Sequence, residues 1–378
     1  MHILLLILGL ILFISLVVVH ELGHFIVARR NGVEVEEFGI FFPPRIWKKR
    51  IKSKKGDYDF TINALPLGGF VKLKGELDSD TSPGSFGAAK LWPKVKIMLA
   101  GVTMNLLAAF VILTFTALVG IPKLIDKQFT VNSDTRLTKH AILIGYVDPH
   151  SPAQQAGLRV RDQLISIGLS GQSQNTINTP ESLPKLTRLY AGKDVEVRYQ
   201  RNDKISSAIL RLRSTQEVDN SKNTNEPKGY LGVSPTEYAL RRSTWSAPIV
   251  AGGLIEQLTE LTFQGLGTII ANLFRGNVHE ASQQVSGPVG IYVILRDGSL
   301  LGYQFILMII AIISLTLAIM NVLPIPALDG GRLFVTLAFR ISKKPLSQRT
   351  EELIHGTGFV LLLALFALIT FVDVGRFF

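Results

Sequence analysis

Residues 19–24 read Val19-His20-Glu21-Leu22-Gly23-His24, and they lie inside an apolar run that extends from Ile3 to Val27. Histidines four residues apart lie on one face of a helix, one turn above each other. In zinc hydrolases a helical HExxH pattern supplies two metal ligands, and its glutamate is the general base. Ionisable side chains are costly inside a membrane-length apolar helix, so their presence here predicts a functional site.

Four apolar runs of the chain are long enough to cross a bilayer, which takes about 20 residues. They lie near residues 3–27, 97–120, 303–323 and 354–374 of the 378-residue chain, in which 47% of residues are hydrophobic. The predicted fold class is therefore an α-helical polytopic membrane protein with four transmembrane helices.

The net charge of +11 follows the membrane topology. Lysine and arginine cluster at 29–55 and at 340–349, and the second cluster includes Lys343 and Lys344. The positive-inside rule predicts that both loops are cytoplasmic and that residues 121–300 lie on the other side. We expect no nucleic-acid partner, because the basic residues are not interleaved with aromatic ones in a reader motif. The absence of cysteine excludes disulfides and thiolate metal ligands.

Aromatic and β-branched residues at 58–65 predict a strand, 66–69 (Pro-Leu-Gly-Gly) a turn, and 70–74 a return strand. The resulting β-hairpin is either a plain solvated element or an edge that pairs with an extended substrate. The residues alone favour the solvated hairpin.

The region 138–215 has a different pattern, with predicted strands alternating with short helices. Its stretch SPAQQAGLRVRDQLISI resembles a PDZ domain, which implies an inserted α+β domain. Peptide binding and a spacer role are equally favoured for it. Residues 216–300 predict a linker followed by amphipathic helices at the membrane surface, with a further span at 245–274 as the alternative.

A catalytic zinc needs a third protein ligand, and Asp329 is the best candidate at membrane depth. Pro324 and Pro326 should break the third span just before it, and such a break is tolerated only against protein or a water-filled cavity. Alternatively, Asp329 caps the next helix in a cytoplasmic turn, which would be the stronger reading without an HExxH motif. In the second span, Gly101 and Asn105 suit helix packing, with Asn105 facing the site as the alternative.

The stretches VVVHELGHF and NVLPIPALDGG, together with the PDZ-like insert, resemble the site-2 protease family of intramembrane zinc metalloproteases. The nearest branch is the regulator of sigma-E protease type, in its form with a single PDZ-like domain. The resemblance implies one zinc ion bound by His20, His24 and Asp329, with Glu21 as general base for the zinc-bound water that attacks the peptide bond. It also implies substrate-binding roles for a further group of residues, namely Asn321, Pro324, Gly68, Gly69, Phe70 and Val71.

The resemblance implies a function as well: cleavage of single-pass membrane proteins such as anti-sigma factors, and of remnant signal peptides. This is regulated intramembrane proteolysis in a stress response. The location would be the lipid bilayer of the bacterial inner membrane, with the PDZ-like domain outside the cytoplasm and the enzyme a monomer. The residues alone favour a solvated hairpin. The resemblance reverses that preference and implies a membrane-associated element that binds substrate.

The predicted domain organisation places a first transmembrane helix at 1–28, a cytoplasmic loop with the hairpin at 29–94, and a second transmembrane helix at 95–121. The PDZ-like domain follows at 138–215, the linker and surface helices at 216–300, a third transmembrane helix with the LDG motif at 301–335, and a fourth at 350–375. A non-catalytic PDZ scaffold would need neither the glutamate nor both histidines. A metal transporter would favour inverted repeats, which are not evident.

Overall fold

The computed structural model describes residues 2–222, 227–277, 280, 282, 285–343 and 346–377, with only the backbone of Leu67. Lys344 of the second basic cluster lies outside these residues. The chain divides into two compact units. The first unit comprises 1–121, 127–134 and 243–378, and the second comprises 122–126 and 135–242.

The first unit contains most of the helices. Before the second unit, its elements are α1 (His2–Arg30), β1 (Val35–Ile51), β2 (Tyr58–Leu73), α2 (Leu91–Met98) and α3 (Ala100–Val119). Between these and the later helices come β3 (Ile121–Pro122), β4 (Arg136–Val147), α4 (Pro152–Gln155), β5 (Gln163–Leu169), β6 (Asn175–Thr176), α5 (Ser182–Leu189), β7 (Asp194–Arg201), β8 (Lys204–Arg211), α6 (Thr215–Ser221) and β9 (Val233–Arg242). The chain then forms α7 (Ala247–Phe274), α8 (Pro288–Leu301), α9 (Tyr303–Val322), α10 (Asp329–Ile341) and α11 (Gln348–Phe377).

Among the described residues, four helical segments are long and apolar enough to cross a membrane: α1, α2 with α3, α9 and α11. They coincide with the four predicted apolar runs. The helix α3 packs against both α1 and α9. A Cβ on Gly23 of α1 would lie 2.8 Å from the carbonyl carbon of Ala100, so the two backbones approach more closely than a larger residue allows. On the other side, the buried Ser314 hydroxyl of α9 donates to the Asn105 carbonyl oxygen at 2.7 Å.

The third span ends at the predicted proline break. The helix α9 stops at Val322, and α10 begins at Asp329. Gly330 and Gly331 are both buried, and a Cβ on either would collide with backbone carbonyl groups of the break. On its other side, α11 approaches so closely that a Cβ on Gly358 would lie 2.8 Å from the backbone of Pro326. The irregular backbone thus packs against protein at Pro326, Gly330 and Gly331, while Ala327 lines a cavity, and both surroundings are ones in which such backbone is tolerated at membrane depth.

The β-structure of the first unit differs from the predicted hairpin. The strand β1 covers residues expected to form only a basic loop interrupted by Pro43 and Pro44, and β2 continues through the predicted turn at 66–69. Residues 37–40 of β1 pair with two segments of β2, 59–62 and 69–72. The predicted pairing of 58–65 with 70–74 was therefore wrong. The clustered lysines and arginines concealed β1, because such side chains extend from an exposed ribbon without an apolar alternation.

Ion pairs between Asp59 of β2 and two basic residues of β1 stabilise the outer part of this two-stranded sheet. The Lys48 ammonium lies 2.6 Å from the Asp59 carboxylate, and the Arg50 guanidinium lies 3.1 Å from it. These hydrogen bonds, with Lys48 the stronger influence, hold the pKa of Asp59 below its usual range. The basic residues of β1 are thus partly neutralised within the ribbon.

The second unit is a mostly antiparallel sheet with the strand order β3-β9-β4-β5-β7-β8, in which β6 also pairs with β5. Its core contains Ile142, Ile144 and Leu164, and α4 begins at Ser151, whose hydroxyl accepts from the Gln154 amide at 3.1 Å. The predicted sequence of strands and short helices from 141 to 211 is present, and the unit extends further because β9 joins β4. Its PDZ-like identity stays a prediction.

The region 216–300, for which a linker and surface helices were predicted, contains β9, the long helix α7 and most of α8. One face of the first half of α7 is buried, and its Val250 and Leu254 belong to the same core cluster as Leu113 of α3 and Met308 of α9. Whether α7 lies at the membrane surface or inserts stays a prediction.

Candidate active site

The site begins with the two histidines of α1, which face α10 at the proline break. His20 Nε2 lies 3.0 Å from Asp329 Oδ2, and His24 Nε2 lies 3.2 Å from the same oxygen. The two Nε2 atoms lie 3.2 Å apart. Three ligand atoms of the expected types therefore converge on one point, although Asp329 is about 300 residues from the histidines in sequence.

This triangle fits a zinc ion. Zinc–ligand bonds of about 2.0–2.1 Å in a tetrahedron separate the ligand atoms by about 3.3 Å, close to the three observed distances. Asp329 Oδ2 is buried, yet none of the described residues gives it a hydrogen bond of acceptable geometry. A buried carboxylate oxygen that faces two imidazole nitrogens in this way needs a shared cation.

The position of Asp329 also resolves the alternative role considered for it. Leu328 is the N-cap of α10, so Asp329 does not occupy the capping position. Asp329 is instead the first helical residue, and its carboxylate turns toward α1.

The His24 ring is oriented by a backbone carbonyl of α2. His24 Nδ1 lies 2.7 Å from the Ile97 oxygen, and since a carbonyl only accepts, Nδ1 carries the proton. The lone pair of Nε2 then points toward Asp329. This is the arrangement of metal-binding histidines, whose second nitrogen donates to a carbonyl or carboxylate.

Asn105 of α3 gives His20 a matching partner. Its amide nitrogen is assigned 3.2 Å from His20 Nδ1, while its Oδ1 is buried with no partner among the described residues. The two ends of an asparagine amide are assigned by their hydrogen bonds, and exchanging them lets Oδ1 accept from His20 Nδ1–H. Asn105 then fixes the tautomer of His20 as the Ile97 carbonyl fixes that of His24.

Gly101, one turn before Asn105, leaves the space beside the ligand nitrogens open. A Cβ at this position would lie 2.5 Å from His20 Cε1 and 2.6 Å from His20 Nε2, and it would also collide with His24 Nε2. No side chain fits there without displacing both rings. The sequence favoured helix packing for Gly101 and Asn105, with Asn105 facing the site as the alternative. Their one-turn spacing was the available signal for a role at the site.

A cavity of about 230 Å³ opens beside the metal ligands. Among the residues that line it are His20, Glu21, Asn105, Asn321 and Asp329. The structure therefore brings the predicted Asn321 to the site. The predicted Pro324 lies in the break and does not line this cavity.

The four predicted residues of β2 lie along α1. Gly68 has a positive φ of 133°, and its hypothetical Cβ would lie 2.8 Å from Val17, so glycine allows the strand to approach the helix here. Gly69 follows, against Val18, and the Phe70 ring packs on that of Phe42.

The last of the four, Val71, contacts the expected general base. Its amide donates to Glu21 Oε2 at 3.1 Å. The strand and the catalytic motif are thus joined by one hydrogen bond.

A second cavity of about 420 Å³ also borders Asp329, and its lining contains both apolar and ionisable residues. It is bordered by Glu76 and Arg332, and by Glu351 and His355 of α11. His355 Nε2 is buried there without a partner among the described residues. Asp329 therefore borders both cavities.

Comparison with known proteins identifies the group to which this site belongs. The model of peptidase family M50 matches residues 8–365. The chain belongs to peptidase family M50. M50 relatives include a candidate zinc metalloprotease of Clostridium perfringens, 31% identical over 373 residues and 97% of each chain, and the zinc metalloprotease RasP of Geobacillus kaustophilus, 27% identical over 97% of each chain.

Membership of M50 makes this chain a zinc metallopeptidase of the membrane, and zinc is its cofactor. The His20, His24 and Asp329 group has the number and type of ligands that a catalytic zinc requires.

Mutation of a residue that only orients a metal ligand typically lowers metal affinity roughly 10–100-fold. We expect Asp329→Asn to lower zinc affinity by more than this, because a charged ligand becomes a neutral amide. Zinc per purified chain, measured by elemental analysis after dialysis against a weak chelator, tests this. Asp297→Asn on α8, which removes an exposed carboxylate, is the matched control. Equal zinc content in the two variants would remove Asp329 from the ligand set.

We expect Gly101→Ala to reduce zinc affinity at least about tenfold, since the added methyl group displaces both imidazoles. Gly252→Ala on α7 is the matched control, because open space surrounds that position. Zinc content by elemental analysis is again the measurement. Normal zinc binding by Gly101→Ala would show that the rings do not need this space.

Proposed function

We propose that this M50 peptidase cleaves the transmembrane segments of single-pass membrane proteins. The observation that carries the proposal is the depth of the ligand set. His24 lies five residues before Arg29 on α1, which is about 8 Å along the helix, so the site lies within the span near one membrane face. A peptidase site at that depth suits peptide bonds that are themselves in the membrane.

The orientation follows from charge. The basic residues after α1 and after α10 support a cytoplasmic location for that face under the positive-inside rule, and we propose a bacterial inner membrane as the location. The second unit, PDZ-like in its sequence, then lies outside the cytoplasm. The second cavity, whose lining includes ionisable residues near the start of α11, would supply water from the cytoplasmic side.

Each residue of the site has a defined part in peptide hydrolysis. Bound zinc supplies Lewis-acid activation of a water molecule and polarisation of the scissile carbonyl. Glu21, beside His20 on the cavity wall, takes the proton of the attacking water and passes it to the leaving amine. Asn105 and the Ile97 carbonyl hold the imidazoles in the tautomer that ligation requires. Asn321 offers an amide to the substrate backbone in the cavity.

A helical substrate hides its peptide bonds within internal hydrogen bonds, so it must unwind before cleavage. In the register of the described residues, segment 69–73 of β2 pairs only with β1, and its Val71 amide reaches Glu21. An extended substrate that adds to this edge would place its backbone beside the general base. This supports the substrate-binding role proposed for Gly68, Gly69, Phe70 and Val71.

Anti-sigma factors and remnant signal peptides are the substrate classes that we propose, with regulated intramembrane proteolysis in a stress response as the setting. They are single-pass proteins whose one span can enter the site from the bilayer. The support is the resemblance of HELGH and NVLPIPALDGG, together with the similarity to the RasP proteins.

We expect Glu21→Gln to lower the cleavage rate of a single-pass anti-sigma factor substrate by at least about 100-fold, the size of a general-base contribution. Zinc content should stay near that of the wild type, because Glu21 is not a ligand. The measurement is product formation in proteoliposomes, with zinc determined on the same samples. Glu260→Gln on α7 is the control, and near-normal cleavage by Glu21→Gln would rule out the assigned role.

A further inference from the structure

The outer edge of β2 next to the active site is occupied by two carboxylates of the chain itself. The Val71 amide donates to Glu21 Oε2 at 3.1 Å, and two residues later the Leu73 amide donates to Glu76 Oε1 at 2.9 Å. Alternate amides of a strand point to opposite sides. The amide of Lys74, the next residue, points in the opposite direction, toward β1. It donates to the carbonyl oxygen of Glu34, the residue before β1. Both carboxylates therefore bind donors that face away from β1.

The Glu76 side chain is folded back onto its own strand by a turn. Gly75, with φ at +54°, reverses the chain, and a Cβ there would collide with Asp80 and Ser85. The backbone of the turn is also anchored, because the Arg332 guanidinium of α10 donates to the Glu76 carbonyl oxygen. The position of Glu76 is thus set by the backbone and does not depend on its carboxylate.

The Glu76 carboxylate can leave its position beside the Leu73 amide. The Glu76 side chain is 42% exposed, and its closest described cation, the Arg332 guanidinium, lies 3.8 Å away, which is a weak ion pair. It also borders the second cavity beside Asp329, which provides space for it to rotate into. Its hydrogen bond to Leu73 therefore competes with any other acceptor that approaches this edge.

We propose that Glu76 is a displaceable cap of the substrate-binding edge, which satisfies the Leu73 amide until a carbonyl of an extended substrate replaces it. The proposal rests on the proposed function, in which the substrate pairs with segment 69–73. The next carbonyl of the same substrate strand, two residues along, takes the Val71 amide and releases Glu21. Glu76 therefore helps to determine which segments bind, and pairing of the strand frees the general base.

The arrangement has two physical consequences. A strand edge with unpaired amides is a template for unwanted pairing, and the two carboxylates protect it. Hydrogen bonds to a carboxylate are also stronger than those to a neutral carbonyl. Only a segment that unwinds into a regular strand, and so gains several hydrogen bonds at once, displaces both.

The absence of cysteine allows a direct test on the full chain in detergent with zinc bound. Lys72→Cys places a single thiol on the exposed part of the edge strand. The probe is a short valine–threonine peptide whose one cysteine is a mixed disulfide with thionitrobenzoate. Attack by the protein thiolate forms the new disulfide and releases thionitrobenzoate, which is followed by its absorbance. Rates are divided by those with the small reagent dithiobis(nitrobenzoate), which removes differences in thiol reactivity.

In this background we expect Glu76→Ala to raise the labelling rate at low peptide concentration about fivefold, or about 1 kcal/mol at 1.4 kcal/mol per factor of ten. Glu76→Gln should give a smaller rise, because its amide oxygen still accepts from Leu73. Glu36→Ala is the matched control: Glu36 carries a carboxylate beside position 72 of the same sheet, its ion pair is already lost in Lys72→Cys, and the Leu73 amide donates to Glu76 instead. Hydrogen exchange provides an independent measurement: without peptide, the Leu73 amide should exchange faster in Glu76→Ala than with native Glu76.

The outcomes separate the cap from the function on which it rests. Labelling that saturates with peptide but is equal or slower in Glu76→Ala, with zinc content retained, rejects the cap and leaves strand pairing intact. Labelling that does not saturate even with native Glu76 rejects pairing at this edge and the cap with it. Unchanged exchange of the Leu73 amide in Glu76→Ala also rejects the cap.

Discussion

A metal site within an apolar span persists only if every polar group in it has a partner, because hydrocarbon offers none. The meeting of His20, His24 and Asp329 satisfies this constraint for the ligand atoms, provided that zinc is shared among them. The opposite ring nitrogens are satisfied by the Ile97 carbonyl and by Asn105. The segment α2–α3 therefore supplies the outer partners, and its close packing on α1 is as necessary to the site as the ligands are.

The proline break explains how the third ligand reaches the histidines. If α9 continued as a helix, residue 329 would lie about 10 Å beyond Val322 along the axis. The break turns the chain back, so that α10 begins at the level of the histidines with Asp329 as its first residue. Gly331 and Gly358 leave room for the folded-back backbone. The end of α9, the two glycines and the position of the Asp329 carboxylate therefore depend on one another.

How much of the structure the sequence predicts depends on how far apart the interacting residues lie along the chain. His20, Glu21 and His24 lie within about one turn of one helix, so their relation is visible in the motif. Asp329 could be inferred only because zinc needs a third ligand. Asn105 was ambiguous, because a sequence does not give the rotation of a helix about its axis. The strand β1 was missed because its pairing to both halves of β2 is a tertiary fact, and its exposed lysines and arginines resemble a loop.

The hydrogen bond between Val71 and Glu21 connects recognition to chemistry. A general base that stays bonded to a backbone amide is less available to accept a proton from water, since the amide stabilises its charge without any reaction. An extended substrate offers that amide a carbonyl oxygen instead. The same event that straightens the substrate therefore leaves Glu21 available beside the bond to be cut. In the proposed function, unwinding the substrate helix is the costly step. The pairing that stabilises the unwound segment is also the event that releases Glu21 from the Val71 amide.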